Sequence, residues 1–225
     1  MNLKKSLLLI FLILLIDQAV KIYVKTHFFY GESYDVFSWF KIHFIENNGM
    51  AFGFEFGGIA GKIFLTVFRL GAIAGIFYWL YSSIKKHAHI LLIIAISLIF
   101  SGALGNIIDS IFYGRIFPDS YHGVAKLFGG TYAPWFQGRV VDMFDFPLFD
   151  VNVPESIPFI GGSHFTFFNA IFNVADSAIT IGVGILIFFN KCIFENKKKA
   201  SDQDEFKQKI DVIVDDLNQS IATNE

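Results

Sequence analysis

The sequence predicts an all-α membrane protein with four transmembrane helices and a small β-rich or irregular cap outside the membrane. The chain is 54% hydrophobic and 17% charged, whereas soluble domains are roughly 45–50% apolar and about 25% charged. Four apolar segments, residues 6–26, 59–83, 89–112 and 171–189, each come near or above the about 20 residues that cross a bilayer. Lysines also lie at alternate ends of these segments, as expected for a chain that crosses the membrane several times.

The lysines predict the orientation of the helices. They form three groups, which are Lys4 with Lys5, Lys85 with Lys86, and Lys191 with Lys197–Lys199. In a four-helix chain all three groups fall on one side, which is cytoplasmic by the positive-inside rule. Both termini are then cytoplasmic, and the two long loops, residues 27–58 and 113–170, face outward. We expect a membrane domain over residues 1–196 and a charged cytoplasmic tail over residues 197–225.

The first apolar segment is a retained helix rather than a cleaved signal peptide, because Asp17, Gln18 and Lys21 stand where a small-residue cleavage site would follow. Asp17 and Arg69, on the second helix, come out at similar depths in the membrane. An unpaired charge at such depth costs at least about 2.5–3.5 kcal/mol. We therefore predict that these two side chains pair, directly or through water.

The outer loops have two different patterns. Residues 34–44 alternate between polar and apolar types, which predicts one or two short strands along the surface. All 5 prolines lie in the loop 113–170, which predicts a folded irregular cap there. Aromatic side chains such as Trp39, Trp135 and Phe136 favour the boundary between membrane and water.

Polar residues end the third helix. The small residues at 101–105 predict close packing against another helix. Asn106 and Asp109 are three apart and share one face. A carboxylate is disfavoured at a helix C-terminus, so we expect Asp109 to make hydrogen bonds toward a site.

Asn173 and Asp176 share a face at the start of the fourth helix, and their pattern has two interpretations. Both residue types are favoured as helix N-terminal caps. The second interpretation adds Asp142, which alone would be read as a solvated loop acid. Two acids facing one another at the membrane edge would form an aspartyl protease dyad, with one protonated and one ionised carboxyl activating a water molecule.

Composition also excludes several classes of partner. The net charge of −2 shows no basic bias, so we expect no nucleic acid. The single cysteine, Cys192, forms no intramolecular disulfide and argues against a metal site. We expect no cofactor.

Five stretches, in order, resemble motifs of the bacterial lipoprotein signal peptidases, the signal peptidase II family of aspartyl peptidases. They are residues 17–21 (DQAVK), 47–53 (NNGMAFG), 102–109 (GALGNIID), 138–142 (GRVVD) and 172–177 (FNVADS). The resemblance covers about residues 6–190.

The resemblance implies an endopeptidase that removes the signal peptide from diacylglyceryl-modified prolipoproteins at the outer face of the bacterial cytoplasmic (inner) membrane. It implies that Asp142 and Asp176 are catalytic. It further implies membrane lipids as partners, inhibition by globomycin-type cyclic peptides, and a monomer. Substrate-binding positions carried over from the motifs are Asn47, Gly49, Asn106, Asp109, Asn173 and Ala175, with Asp17, Lys21 and Arg69 as structural polar residues.

The chain departs from the family pattern in two places. Ser110 stands where the family usually has arginine, and either Arg115 or Arg139 is a candidate to supply that charge. The stretches 115–138 and 146–168 look longer than usual, which predicts an enlarged outer cap that gates substrate or inhibitor.

Two other function classes compete with the peptidase. In a small proton- or ion-coupled transporter, Asp17, Arg69, Asp109 and Asp176 would line a polar path. The chain has no inverted repeat, which argues against this class. In a non-enzymatic assembly factor, the same acids would be structural.

Overall fold

The computed structural model describes residues 1–48, 58–147, 149–152, 154–156, 162, 164–167, 170–194 and 210. The helices are α1 (Leu3–His27), α2 (Gly58–Lys85), α3 (Ile90–Ile108), α4 (Gly114–Ile116) and α5 (Val174–Phe188), with a π-helical turn at Asp109–Tyr113. The strands are β1 (Ser33–Phe37), β2 (Phe40–Asn47), β3 (Val140–Asp145), β4 (Phe149–Asn152) and β5 (His164–Phe167). The molecule is therefore mostly helical with a small amount of sheet.

Three helices are long and apolar enough to cross a membrane, namely Leu3–His27, Ala60–Lys85 and Ile90–Ile116. Helix α5 has 15 residues and is shorter, so the described chain has three to four apolar helices of this kind. Large apolar side chains of α1 face outward, as in a helix surrounded by lipid. They are Leu7, Leu8, Phe11, Leu12, Leu15 and Ile16. The predicted membrane character is confirmed.

Two helix ends lie a few residues from the approximate bounds that the sequence predicts. The third span continues to Ile116, past the predicted end at residue 112, because the π-helical turn carries α3 into α4. The fourth helix begins at Val174 rather than at 171, because Phe172 instead forms an isolated β-bridge with Phe144. Asn173 then caps the helix.

Helix α3 lies at the centre of the helical layer, where it packs against α5, α1 and α2. A Cβ added at Gly102 would lie 2.2 Å from the carbonyl oxygen of Ala175. The backbones of α3 and α5 therefore touch at this point, and only glycine permits the approach. The predicted close packing of the small residues on helix three is confirmed.

The three-stranded antiparallel sheet has the order β1-β2-β3, and β1 and β2 confirm the strands predicted within residues 34–44. In the pairing of β2 with β3, Asn47 lies opposite Val140, Glu46 opposite Val141, and Ile45 opposite Asp142. This sheet carries Asp142 to the ends of the helices.

The cap is irregular in one of its two parts. Residues 117–139 form no helix or strand, yet Phe117 and Ala125 are buried in a core with Phe44 and Val141, which agrees with a folded irregular cap. In the second part β4 and β5 pair as a two-stranded sheet, which agrees with the prediction of a cap that is β-rich or irregular. The predicted tail 197–225 lies outside the described residues apart from residue 210.

Candidate active site

Asp142 reaches the site from the middle of β3 and is only 4% exposed. One carboxylate oxygen, Oδ1, accepts a hydrogen bond of 2.7 Å from the side-chain amide of Asn173. The other oxygen, Oδ2, accepts from Asn47 Nδ2 at 3.4 Å. Burial, and then the nearby charge of Asp176, raise the pKa of the Asp142 carboxyl from its usual 3.8 to about 7.

Asp176 reaches the site from the first turn of α5. Its Oδ1 accepts a hydrogen bond of 2.7 Å from Asn106 Nδ2. Its Oδ2 accepts from the backbone N–H of Asn173 at 3.3 Å, and its own N–H donates to Asn173 Oδ1 at 2.9 Å. These reciprocal bonds form a capping box, so Asp176 closes the end of the helix and also faces the site.

Asn173 joins the two carboxyl groups. Its backbone N–H donates to Asp176 and its side-chain amide donates to Asp142. The same amide contacts Asn106 Oδ1 at 3.1 Å. The interpretation of Asn173 as a helix cap is confirmed, and the same side chain also donates to Asp142.

Lys21 supports this arrangement from α1 and is fully buried. Its ammonium group contacts Asn106 Oδ1 at 2.9 Å, Asp109 Oδ2 at 2.9 Å and Asp17 Oδ2 at 3.1 Å. Three contacts use all three donors of an ammonium group. Since Asn106 donates in turn to Asp176, the chain of contacts runs from Lys21 to the candidate dyad.

The predicted pairing of Asp17 with Arg69 was wrong. The cation that meets Asp17 is Lys21, one helical turn away on α1. The second oxygen of Asp17 accepts from the backbone N–H of Ala175 at 2.9 Å, which ties α1 to the start of α5. Arg69 instead interacts electrostatically with Asp176.

Asp109 and Ala175 are both fully buried. Asp109 Oδ1 accepts from Gln18 at 2.9 Å, and Oδ2 accepts from the backbone N–H of Val141 at 3.2 Å in addition to Lys21. The expected hydrogen bonding of Asp109 toward the site is thus present, but it reaches the backbone beside Asp142. Gly49, the remaining predicted substrate-binding residue, lies outside the described residues.

The family usually has an arginine at the position of Ser110, and neither Arg115 nor Arg139 supplies a charge beside Asp109 in its place. Arg115 lies over the ring of Trp135, with its guanidinium carbon 5.8 Å from the ring centroid. Arg139 contacts Glu46 Oε2 at 3.0 Å. Ser110 itself donates to the carbonyl oxygen of Asn106 at 3.0 Å, and the cation beside Asp109 is Lys21.

Sequence reasoning missed two features around the site. Gln18 binds Asp109 and Asp17, and its carbonyl oxygen accepts from the Tyr113 hydroxyl at 3.1 Å. A second buried cation, Lys25, pairs with Glu46. Lys25 follows Lys21 by four residues, so both fall on one face of α1, and that spacing was the available signal. Across the ranges that the structure describes, no group of three His, Cys, Asp or Glu side chains has the arrangement to hold a metal ion.

Long apolar helices and two aspartates joined through Asn173 are the features to compare with known membrane proteins. Two solved structures described as bacterial membrane enzymes determined by the in meso method share this fold. The first is 27% identical, with a TM-score of 0.57 over 87% of this chain and 92% of that chain. The second is 28% identical, with a TM-score of 0.52 over 83% of this chain and 92% of that chain.

The particular family follows from sequence comparison. The model of the family described as signal peptidase (SPase) II matches residues 9–191, and the chain belongs to that family. A lipoprotein signal peptidase of Porphyromonas gingivalis is 50% identical over 182 residues, which are 80% of this chain and 79% of the relative. A lipoprotein signal peptidase of Amoebophilus asiaticus is 34% identical over 180 residues, 78% of this chain and 73% of the relative.

The resemblance inferred from the five sequence motifs is therefore confirmed at the level of the family and its lipoprotein-processing activity. The comparisons give no support to the alternative of a transporter.

Proposed function

We propose that this chain is an aspartic endopeptidase that cleaves the signal peptide from diacylglyceryl-modified prolipoproteins, with Asp142 and Asp176 as its catalytic residues. The observation that carries the proposal is the bonding of both carboxyl groups to one residue, Asn173. The lipoprotein signal peptidases to which the chain is similar supply the substrate class.

In this proposal the two carboxyl groups share one proton, because neighbouring like charges do not ionise together easily. The burial of Asp142 favours its protonated form near neutral pH. In hydrolysis, the ionised carboxylate accepts a proton from water, whose oxygen attacks the scissile carbonyl carbon. The protonated carboxyl donates its proton to the carbonyl oxygen, which gives a tetrahedral intermediate. The carboxyl that took the proton from water then gives it to the leaving amine as the C–N bond breaks, and a hydroxyl of the intermediate returns a proton to the other carboxylate.

Three asparagines hold the acids in this arrangement. Asn47 and Asn173 donate to Asp142, and Asn106 donates to Asp176. Asn47 is the last residue of β2, and its pairing with Val140 on β3 brings its side chain close to Asp142. We therefore assign its side-chain amide to the side of the site where substrate binds. Asp109 and Ala175 are positioning groups in this proposal, since both are buried beneath the acids.

The position of the site matches a lipid-tethered substrate. The acyl chains of a diacylglyceryl group remain in the bilayer and hold the scissile bond at the level of the headgroups. We propose four crossings, with α5 extended by the helical residues 190–194. At 1.5 Å per residue, residues 174–194 reach about 30 Å, which spans a hydrocarbon core.

The lysine groups then place both termini in the cytoplasm, and the site faces outward from the cytoplasmic (inner) membrane. Membrane lipids and a globomycin-type cyclic peptide are the further partners that we propose, and the unit is a monomer.

The experiment is an in vitro cleavage assay on a diacylglyceryl-modified prolipoprotein. We expect Asp142→Asn and Asp176→Asn each to abolish cleavage while the protein remains folded in the membrane. The matched control is Asp145→Asn on the same strand, which removes the charge that faces His43 at 3.5 Å and should leave cleavage intact. Normal processing by either of the first two variants would refute the assignment.

A further inference from the structure

A second group of charges, which we call the Glu46 cluster, lies apart from the two aspartates and supplies none of the reacting groups in the proposed hydrolysis. Lys25 Nζ forms an ion pair with Glu46 Oε1. Ser120 Oγ accepts from Lys25 at 2.8 Å and donates to Glu46 Oε1 at 3.1 Å. Glu46 Oε2 accepts from Arg139 Nη1 at 3.0 Å, and the same nitrogen lies 3.4 Å from Asp119 Oδ2.

The centre of the Glu46 cluster is buried from solvent. The side chains of Lys25 and Glu46 have no exposed surface, whereas that of Arg139 is 21% exposed. A buried ion pair adds little net stability compared with an apolar pair of the same volume, because both charges lose their hydration. Stability alone is therefore a weak explanation for a lysine and a glutamate at these positions.

The irregular segment 117–139 covers the cluster. The ammonium group of Lys25 lies 5.2 Å from the ring centroids of both Phe117 and Tyr132. The guanidinium carbon of Arg139 lies 4.7 Å from the Tyr121 ring and 4.9 Å from the Tyr132 ring. These cation–π contacts shield the charges from water and connect the irregular segment 117–139 to α1 and to the residue before β3.

The Glu46 cluster stabilises the pairing of β2 with β3, and the register of this pairing decides where the side chain of Asp142 points. Glu46 lies opposite Val141, and Arg139 comes immediately before β3. The next residue on β2 is Asn47, whose amide donates to Asp142. A slip of one residue in this pairing would turn every side chain of β3 to the other face of the sheet.

We infer that Glu46 is a positioning residue for Asp142. Through Lys25 it is fixed to α1, and through Arg139 it is fixed to the start of β3, so that β3 presents the Asp142 carboxyl beside Asp176. This inference rests on the proposed catalytic role of the two aspartates.

The test is the substitution Glu46→Gln, which keeps the shape of the side chain and removes its charge. We expect kcat per folded enzyme to fall by about ten- to a hundredfold, the effect of displacing a reacting group by about 1 Å. KM should change by less than about twofold, because substrate binding does not use this residue. The alkaline limb of the pH profile should move to lower pH, since a displaced Asp142 is better hydrated and loses its proton more readily.

A double variant separates positioning from folding. Lys25→Met with Glu46→Gln removes the buried lysine charge that the single variant leaves without its partner. We expect the double variant to recover thermal stability but not kcat, because Arg139 then meets only a neutral amide on β2 and loses its charge-assisted contact. Recovery of kcat together with stability would show that Glu46 is only structural and would overturn the inference.

The matched control is Asp35→Asn, a substitution in the same sheet at a carboxylate that is 71% exposed and contacts Lys41 at 3.2 Å. It should change neither kcat nor the pH profile. An unchanged kcat and pH profile in folded Glu46→Gln would also contradict the inference. An unchanged Glu46→Gln together with an inactive Asp142→Asn would remove the proposed role of Glu46 and leave the proposed catalytic role of the two aspartates intact.

Discussion

Replacing Asp142 by asparagine should stabilise the protein at alkaline pH even though it abolishes activity. The carboxyl is 4% exposed, and its pKa is about 7 in the folded protein against 3.8 ordinarily. A folded-state pKa above the unfolded value means that stability is lost as pH rises from about 4 through about 7. One pKa unit corresponds to about 1.4 kcal/mol, so the loss attributable to this group is about 1.5 kcal/mol at pH 5 and about 4 kcal/mol at pH 8.

Asp142→Asn and the unsubstituted protein therefore differ in their free energy of unfolding by an amount that changes by about 2.5 kcal/mol between pH 5 and pH 8. This change reports the charge of Asp142 separately from other effects of the substitution. Effects of the substitution that do not depend on the ionisation of Asp142, such as a change in packing, are the same at both pH values and cancel. Thermal unfolding in detergent micelles at a fixed scan rate measures it. The melting temperature of Asp142→Asn relative to the unsubstituted protein should be higher at pH 8 than at pH 5, by about 5–10 °C on the scale of soluble domains. A difference that does not change with pH, or that favours the unsubstituted protein more at pH 8, would refute the reasoning.

Three further predictions concern the same region. Cleavage should decline above about pH 7 as the aspartate pair loses its shared proton, and a flat rate between pH 6 and 9 would argue against a shared proton. Lys21→Met should destabilise the protein by about 3–5 kcal/mol because it leaves Asp17 and Asp109 buried without a cation; the exposed Lys126→Met serves as the control in denaturation and should have little effect. Gly102→Ala should cost about 1–3 kcal/mol and impair cleavage, because the new Cβ would lie 2.2 Å from a backbone oxygen of α5. Gly71→Ala, with nothing within 4 Å of its new Cβ, should be neutral or slightly stabilising, and equal effects of the two alanines would contradict the packing argument.

The features that the sequence predicted well are those set by local pattern. Three of the four helices follow from runs of apolar residues long enough to cross a bilayer, and β1 and β2 follow from alternation. The cap of α5 follows from the residue type of Asn173, whose side chain bonds to the third residue of the helix.

The features that the sequence predicted poorly depend on direction or on distant contacts. Depth in the membrane suggested Arg69 as the partner of Asp17, but depth does not specify which side of α1 the carboxylate faces. Lys21 lies four residues along the same face and forms the pair instead. Contacts of Glu46 with Lys25 and Arg139 join residues 21 and 93 positions apart, and no local pattern predicts such pairings. Motif position also did not reveal that Asp109 is buried against the backbone of β3.

The central claim is that Asp142 and Asp176 act as one catalytic unit. The most direct test measures kcat for Asp142→Asn, Asp176→Asn and the double variant on one diacylglyceryl-modified prolipoprotein, with the folded fraction of each protein determined in parallel. We predict that each single variant falls to the level of the double variant, because members of one catalytic unit lose their function together. Losses that multiply in the double variant, or a single variant that retains substantial cleavage, would contradict the claim.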